Sequence, residues 1–139
     1  MTKIIKLLFL IFFLSNPLMA KNLYIQEGIE LFKDKKFEEA KFKFEQDIVF
    51  NPKSEMSYLY LSKIFKNLNK KDLQEKNLNT VILLNPKNEE AIFILARLKL
   101  DSSDYKKSKE LNYRLSFLCN KYCDESKKLK IEIENLSKK

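Results

Sequence analysis

Apolar residues recur at helical spacing along most of the chain, and the recurrence is interrupted at short, regular intervals. The stretch LYIQEGIELF is followed by a lysine-rich break at positions 34–36 and then by FEEAKFKFEQDIVF. Each half places its apolar residues on one helical face, which predicts a helix, a tight turn and a second helix. Two near-identical corners, FNPKS at 50–54 and LNPKN at 84–88, separate such windows, and their prolines, Pro52 and Pro86, stand 34 positions apart. Asparagine ends a helix at each corner, proline prevents its continuation, and Ser54 or Asn88 opens the next helix. Asp104 and Asp124 offer the same helix-opening oxygen further along.

A shift of 34 residues also lays Ile48 over Ile82, Lys53 over Lys87, Glu55 over Glu89 and Leu61 over Leu95. A fixed period of this length marks a stack of supersecondary units in which each unit buries its apolar face against its neighbours. Small residues follow the same interval: Gly28, Ser62 and Ala96 on the first helices, Ala40 and Ser108 on the second. They predict sites where two helices approach closely.

These residues resemble the tetratricopeptide repeat, a 34-residue helix-turn-helix unit. The first copy, 21–54, matches through Tyr24, Gly28, Leu31, Phe37, Ala40, Phe44 and Pro52, with Glu27 in a slot that is usually apolar. The second, 55–88, matches through Tyr58, Leu61, Ser62, Phe65, Leu78, Val81 and Pro86, and departs at Lys71 and Gln74. The third, 89–122, keeps Leu95, Ala96, Tyr105, Ser108 and Leu115, and departs at Ile92, Lys99 and Asn120. Positions 123–139 place Leu129, Ile133 and Leu136 on one face of a polar-backed helix suited to closing the end of the stack. The resemblance implies an all-α fold, a right-handed α-solenoid of about three such units plus a C-terminal capping helix.

It also implies a non-enzymatic scaffold whose first helices line a concave groove for a peptide or another protein's segment. Carrying the family pattern onto this chain places Ile25, Ile29 and Phe32 on the groove side of the first unit, Leu59, Lys63 and Lys66 on the second, and Phe93, Arg97 and Leu100 on the third. Apolar anchors with three cations suit a segment that combines hydrophobic and acidic residues. The chaperone-binding members of the family clamp a terminal carboxylate with lysine, asparagine and arginine. Here those slots hold Ile25, Ile29, Tyr60, Glu90 and Ile94, so the clamp is absent.

The first twenty residues follow a different logic. Lys3 and Lys6 precede an unbroken apolar run from Leu7 to Leu14, then Asn16 and Pro17, then Leu18, Met19 and Ala20. This order is that of a secretory signal peptide over 1–20, and the run is shorter than the roughly 20 residues needed to span a bilayer. The expectation is an exported protein of the periplasm or cell envelope. Loss of the two lysines would lower the net charge from +8 to +6.

Composition narrows the remaining choices. With no histidine and only two cysteines, the chain lacks the commonest general base and cannot build a four-ligand zinc site, so no enzyme, metal or cofactor is expected. Its many carboxylates fall on solvated helix faces. Export makes nucleic acid an improbable partner for the basic surface, which leaves anionic lipid or cell-wall polymer as the alternative to a protein ligand. Peripheral envelope association and self-association both stay open. Cys119 and Cys123 bracket NKY where a third corner would fall, a candidate disulfide that would pin the last helix in an oxidising compartment; two reduced cysteines are the alternative.

Overall fold

The computed structural model describes residues 17–138, with side chains from Leu23 onward. Among the described residues all regular structure is helical: α1 (Pro17–Lys33), α2 (Phe37–Phe50), α3 (Glu55–Asn67), α4 (Lys71–Leu84), α5 (Glu89–Asp101), α6 (Tyr105–Leu118) and α7 (Cys123–Leu136). The signal-peptide expectation falls largely outside these residues. Pro17 opens α1, a position where its missing N–H costs nothing, and the helix continues through position 20. The chain divides into two compact units, one up to Ser57 and one from Tyr58 onward.

The turn within each helix pair is built the same way three times. Lys35, Asn69 and Ser103, spaced by 34, adopt left-handed backbone at φ 60°, 56° and 60°. The N–H groups of Lys36, Lys70 and Asp104 reach back to the carbonyls of Leu31, Phe65 and Lys99 at 2.9, 2.9 and 2.8 Å. This is the Schellman closure, which satisfies orphan carbonyls at a helix end and usually employs glycine. Here lysine, asparagine and serine take the glycine position.

In the first unit α1 packs on α2 at Gly28, where an added Cβ would lie 2.9 Å from two atoms of the buried Phe44 ring. Asp47 is fully buried at the slot that Val81 and Leu115 fill one and two periods later. The Ser57 hydroxyl donates to Asp47 Oδ2 at 2.5 Å, and Ser54 donates to Ser57 at 3.0 Å, so the carboxylate joins the helix corner to the core. Glu27 is accommodated by an ion pair with Lys43 at 2.6 Å.

In the second unit α4, α5, α6 and α7 pack in succession around Leu78, Val81, Ile92, Leu95, Leu111, Leu115, Leu129 and Ile133. The small-residue slot works as a contact point: Ser108 is buried and donates to the carbonyl of Ala96 at 2.8 Å. Lys99 offsets its charge against Glu75 at 2.6 Å. Two helix starts take the expected caps, Asn88 accepting from Ala91 N at 2.8 Å and Asp104 from Lys107 N at 3.1 Å. Asp124 does not cap. Helix α7 begins two residues earlier than an Asp124 cap requires, with Tyr122 in the cap position and no side-chain cap bond.

The corner before α7 is held by Glu89 instead. Its carboxylate, at the start of α5, accepts the N–H groups of Asn120, Lys121 and Tyr122 at 3.0, 2.8 and 3.0 Å. Three amide donors on one carboxylate, that of Lys121 foremost, hold Glu89 below the usual carboxylate range. The Phe93 and Tyr122 rings meet at 5.4 Å beside it. Cys119 and Cys123 are bonded across the same corner, their Cα atoms 4.9 Å apart.

Candidate functional site

A cavity of about 360 Å³ opens in the second unit between the first helices α3 and α5 and the turn leading into α4. Lys66 and Lys71 stand on one side of it, Arg97 on the other, and Phe93 and Ile94 supply apolar wall. Lys66 and Lys71 carry no ion pair among the described residues, and Asp101 is the one acid in the lining, so a net positive charge is left for a ligand. Arg97 is held by Glu132 of α7, which fixes its guanidinium and spends part of its charge. The surface can therefore grip an apolar side chain and attract an adjacent carboxylate, the cations acting mainly on orientation and encounter.

Three of the residues expected to face a groove are brought together here: Lys66, Phe93 and Arg97. Lys63 does not line this cavity; it pairs with Glu90 at 2.6 Å and lies 4.9 Å from the Tyr60 ring centre. Leu59 and Leu100 are buried in the core cluster and offer no surface, because neighbouring helices close over them. Ile25, Ile29 and Phe32 belong to the first unit, half-buried along α1, with Phe32 edge-on to Phe37 at 5.6 Å.

Lys71 and Gln74 also line the cavity, although by the repeat pattern they are only faults in the second copy. Their departure from the small and aromatic residues expected there is the signal that could have found them. Among the described residues no cluster of acids and cysteines could hold a metal ion, and no helix is long and apolar enough to cross a membrane.

The helix pairing matches known structures closely. The TPR2B domain of yeast Sti1, solved as a pHsp70 complex, superposes with a TM-score of 0.78 at 15% identity, covering 85% of this chain and 98% of that one. The Yersinia enterocolitica type III secretion chaperone SycD, solved with a peptide of the translocator YopD, gives 0.75 at 16% identity, covering 85% and 94%. The Arabidopsis OM64 TPR domain gives 0.72 at 19% identity, covering 83% and 98%. The chain has the tetratricopeptide-repeat fold. No family model matches its sequence, and no curated protein matches it. The backbone geometry is thus shared with these neighbours at below one identity in five.

Proposed function

We propose that the protein is a non-enzymatic interaction module that binds an apolar and acidic segment of another protein in the cavity beside α3 and α5. The observation that carries this reading is the placement of two unpaired lysines, Lys66 and Lys71, around the apolar wall of Phe93 and Ile94. Neighbours of this fold are solved with peptide or protein segments bound, which supports the same use of the scaffold. The carboxylate-clamp residues are missing, so an internal segment suits this site better than a free C-terminus. The periplasm or cell envelope is the proposed location, supported by the order of basic, apolar and small residues in positions 1–20.

The test is binding of a fluorescent peptide library with alternating apolar and acidic residues, compared between the wild-type chain and Lys66→Glu/Lys71→Glu. Both positions are exposed, so the variant should keep its helical circular dichroism. At least tenfold weaker binding by the folded variant is expected. Equal binding would overturn the proposal, and binding only to anionic vesicles or cell-wall polymer, abolished by salt, would replace it with the lipid or polymer reading.

A further inference from the structure

The last two helices enclose a second cavity, of about 530 Å³, within the roughly 300–1,000 Å³ typical of ligand clefts. One wall is Asn112 and Tyr113 of α6, and the other includes Lys130 and Ile133 of α7. Asn112 is buried, yet only half of its amide is used: Nδ2 donates to the carbonyl of Ser126 at 3.0 Å, while Oδ1 has no partner. Rotating the amide would set oxygen against oxygen, so the free acceptor is forced by its neighbour. A buried acceptor without a donor is costly, on the order of 1–3 kcal/mol.

The repeat shows how unusual this is. One and two periods earlier the same slot holds Leu78 and Phe44, both fully buried and apolar. Its partner Ser126 stands one period after Ile92, also fully buried. An apolar contact in the core of the preceding units has become a polar pair that lines an open cleft.

Helix α7 occupies the register of a first helix. In α5 the positions Ile92, Ala96 and Leu100 are buried; their counterparts on α7 are Ser126, Lys130 and Glu134, and these line the cleft. The cleft therefore lies where a second helix would pack on α7. Tyr113 and Phe117 extend its apolar edge, ring centres 4.7 Å apart, and both are well exposed.

We propose that this cleft is a second docking site, which receives an amphipathic helix of another protein, its apolar face against Tyr113 and Ile133 and acidic residues along its margins. Charge selects that occupant. Lys106, Lys109 and Lys130 line the cleft without an ion pair among the described residues, against one such acid, Glu134, while Glu110 is paired with Lys107 at 2.8 Å and Lys127 with Asp124 at 3.4 Å. A second copy of this chain, itself at +8, is the poorer complement.

The probe is a fluorescein-labelled helical peptide with leucines at i, i+3, i+4 and i+7 and glutamates on both flanks, together with a twin in which glutamine replaces glutamate. By anisotropy, the full chain should bind the acidic peptide saturably and the twin at least tenfold more weakly. Lys109→Glu/Lys130→Glu should lose at least tenfold, and a charge-matched Lys36→Glu/Lys53→Glu variant less than twofold. Asn112→Leu, which restores the residue type of the earlier repeats, should keep or raise thermal stability. Equal binding of the twin would overturn the proposal. So would loss of binding in Lys66→Glu/Lys71→Glu with none in Lys109→Glu/Lys130→Glu, which would assign the peptide to the other cavity. Dimerisation in light scattering that Lys130→Glu abolishes, or capture by phosphatidylglycerol vesicles with no peptide binding, would assign the surface to a second copy or to lipid.

Discussion

Gly28 is the one glycine in the chain, and it sits where a side chain has no room. Gly28→Ala adds helix propensity, about 1 kcal/mol, and drives a methyl into the buried Phe44 ring, an overpacking that costs about 1–3 kcal/mol. The second effect should win, lowering the urea midpoint with an unchanged slope. At Lys35 and Ser103 the balance runs the other way. A left-handed residue with a Cβ is strained by about 1 kcal/mol, so Ser103→Gly should raise stability by up to about that amount in the same measurement. Gly28 was legible from sequence because Ser62 and Ala96 repeat its size at the same interval. Asn112 was not singled out: a polar residue on a helix is ordinarily solvent-facing, and only comparison with Phe44 and Leu78 one and two periods earlier marks it as a core position.

At the scale of elements, the three corners between units differ in what holds them. Two use proline and an asparagine whose N–H closes the preceding helix, Asn51 onto Asp47 and Asn85 onto Val81. The third uses Glu89, 31 to 33 residues away, with the Cys119–Cys123 pair spanning the same corner. Glu89 titrates below the usual range in the folded chain, so it stabilises fully above its unfolded pKa, and that contribution is lost as pH falls through its lower folded value. Glu89→Gln should therefore unfold more readily than wild type at neutral pH, with the gap between them closing in acid; thermal melts of both across pH 2–7 would show it. We propose that the disulfide forms in the exported protein. Its loop is short, so reduction should cost about 2 kcal/mol, and intact mass before and after reduction and alkylation identifies the bridge. Two free thiols in material made in the periplasm would exclude it. The cysteine spacing raised that possibility, but no local pattern pointed to Glu89, because its partners are backbone amides whose positions depend on the folded path.

In the second unit, burial of α7 against its neighbours matters more than any one contact. Leu129 and Ile133 of α7 are buried in the same cluster as Leu111 and Leu115, so removal of residues 123–139 should uncover that face and yield a less stable, aggregation-prone chain. Leu129→Ala alone should cost about 2–5 kcal/mol by denaturant titration. The sequence by itself determined the helices, their pairing and the 34-residue interval, since apolar periodicity, turn chemistry and small residues act over one or two helical turns and recur at every copy. Only the tertiary structure decided which of those residues face a ligand. Leu59 and Leu100 share the apolar face of their helices with groove candidates and are enclosed by neighbours, while Lys63 and Arg97 are occupied by Glu90 and Glu132 from other helices. Periodicity specifies the face of a helix. What covers that face, and which charges are already neutralised, depends on side chains brought in from distant positions by packing.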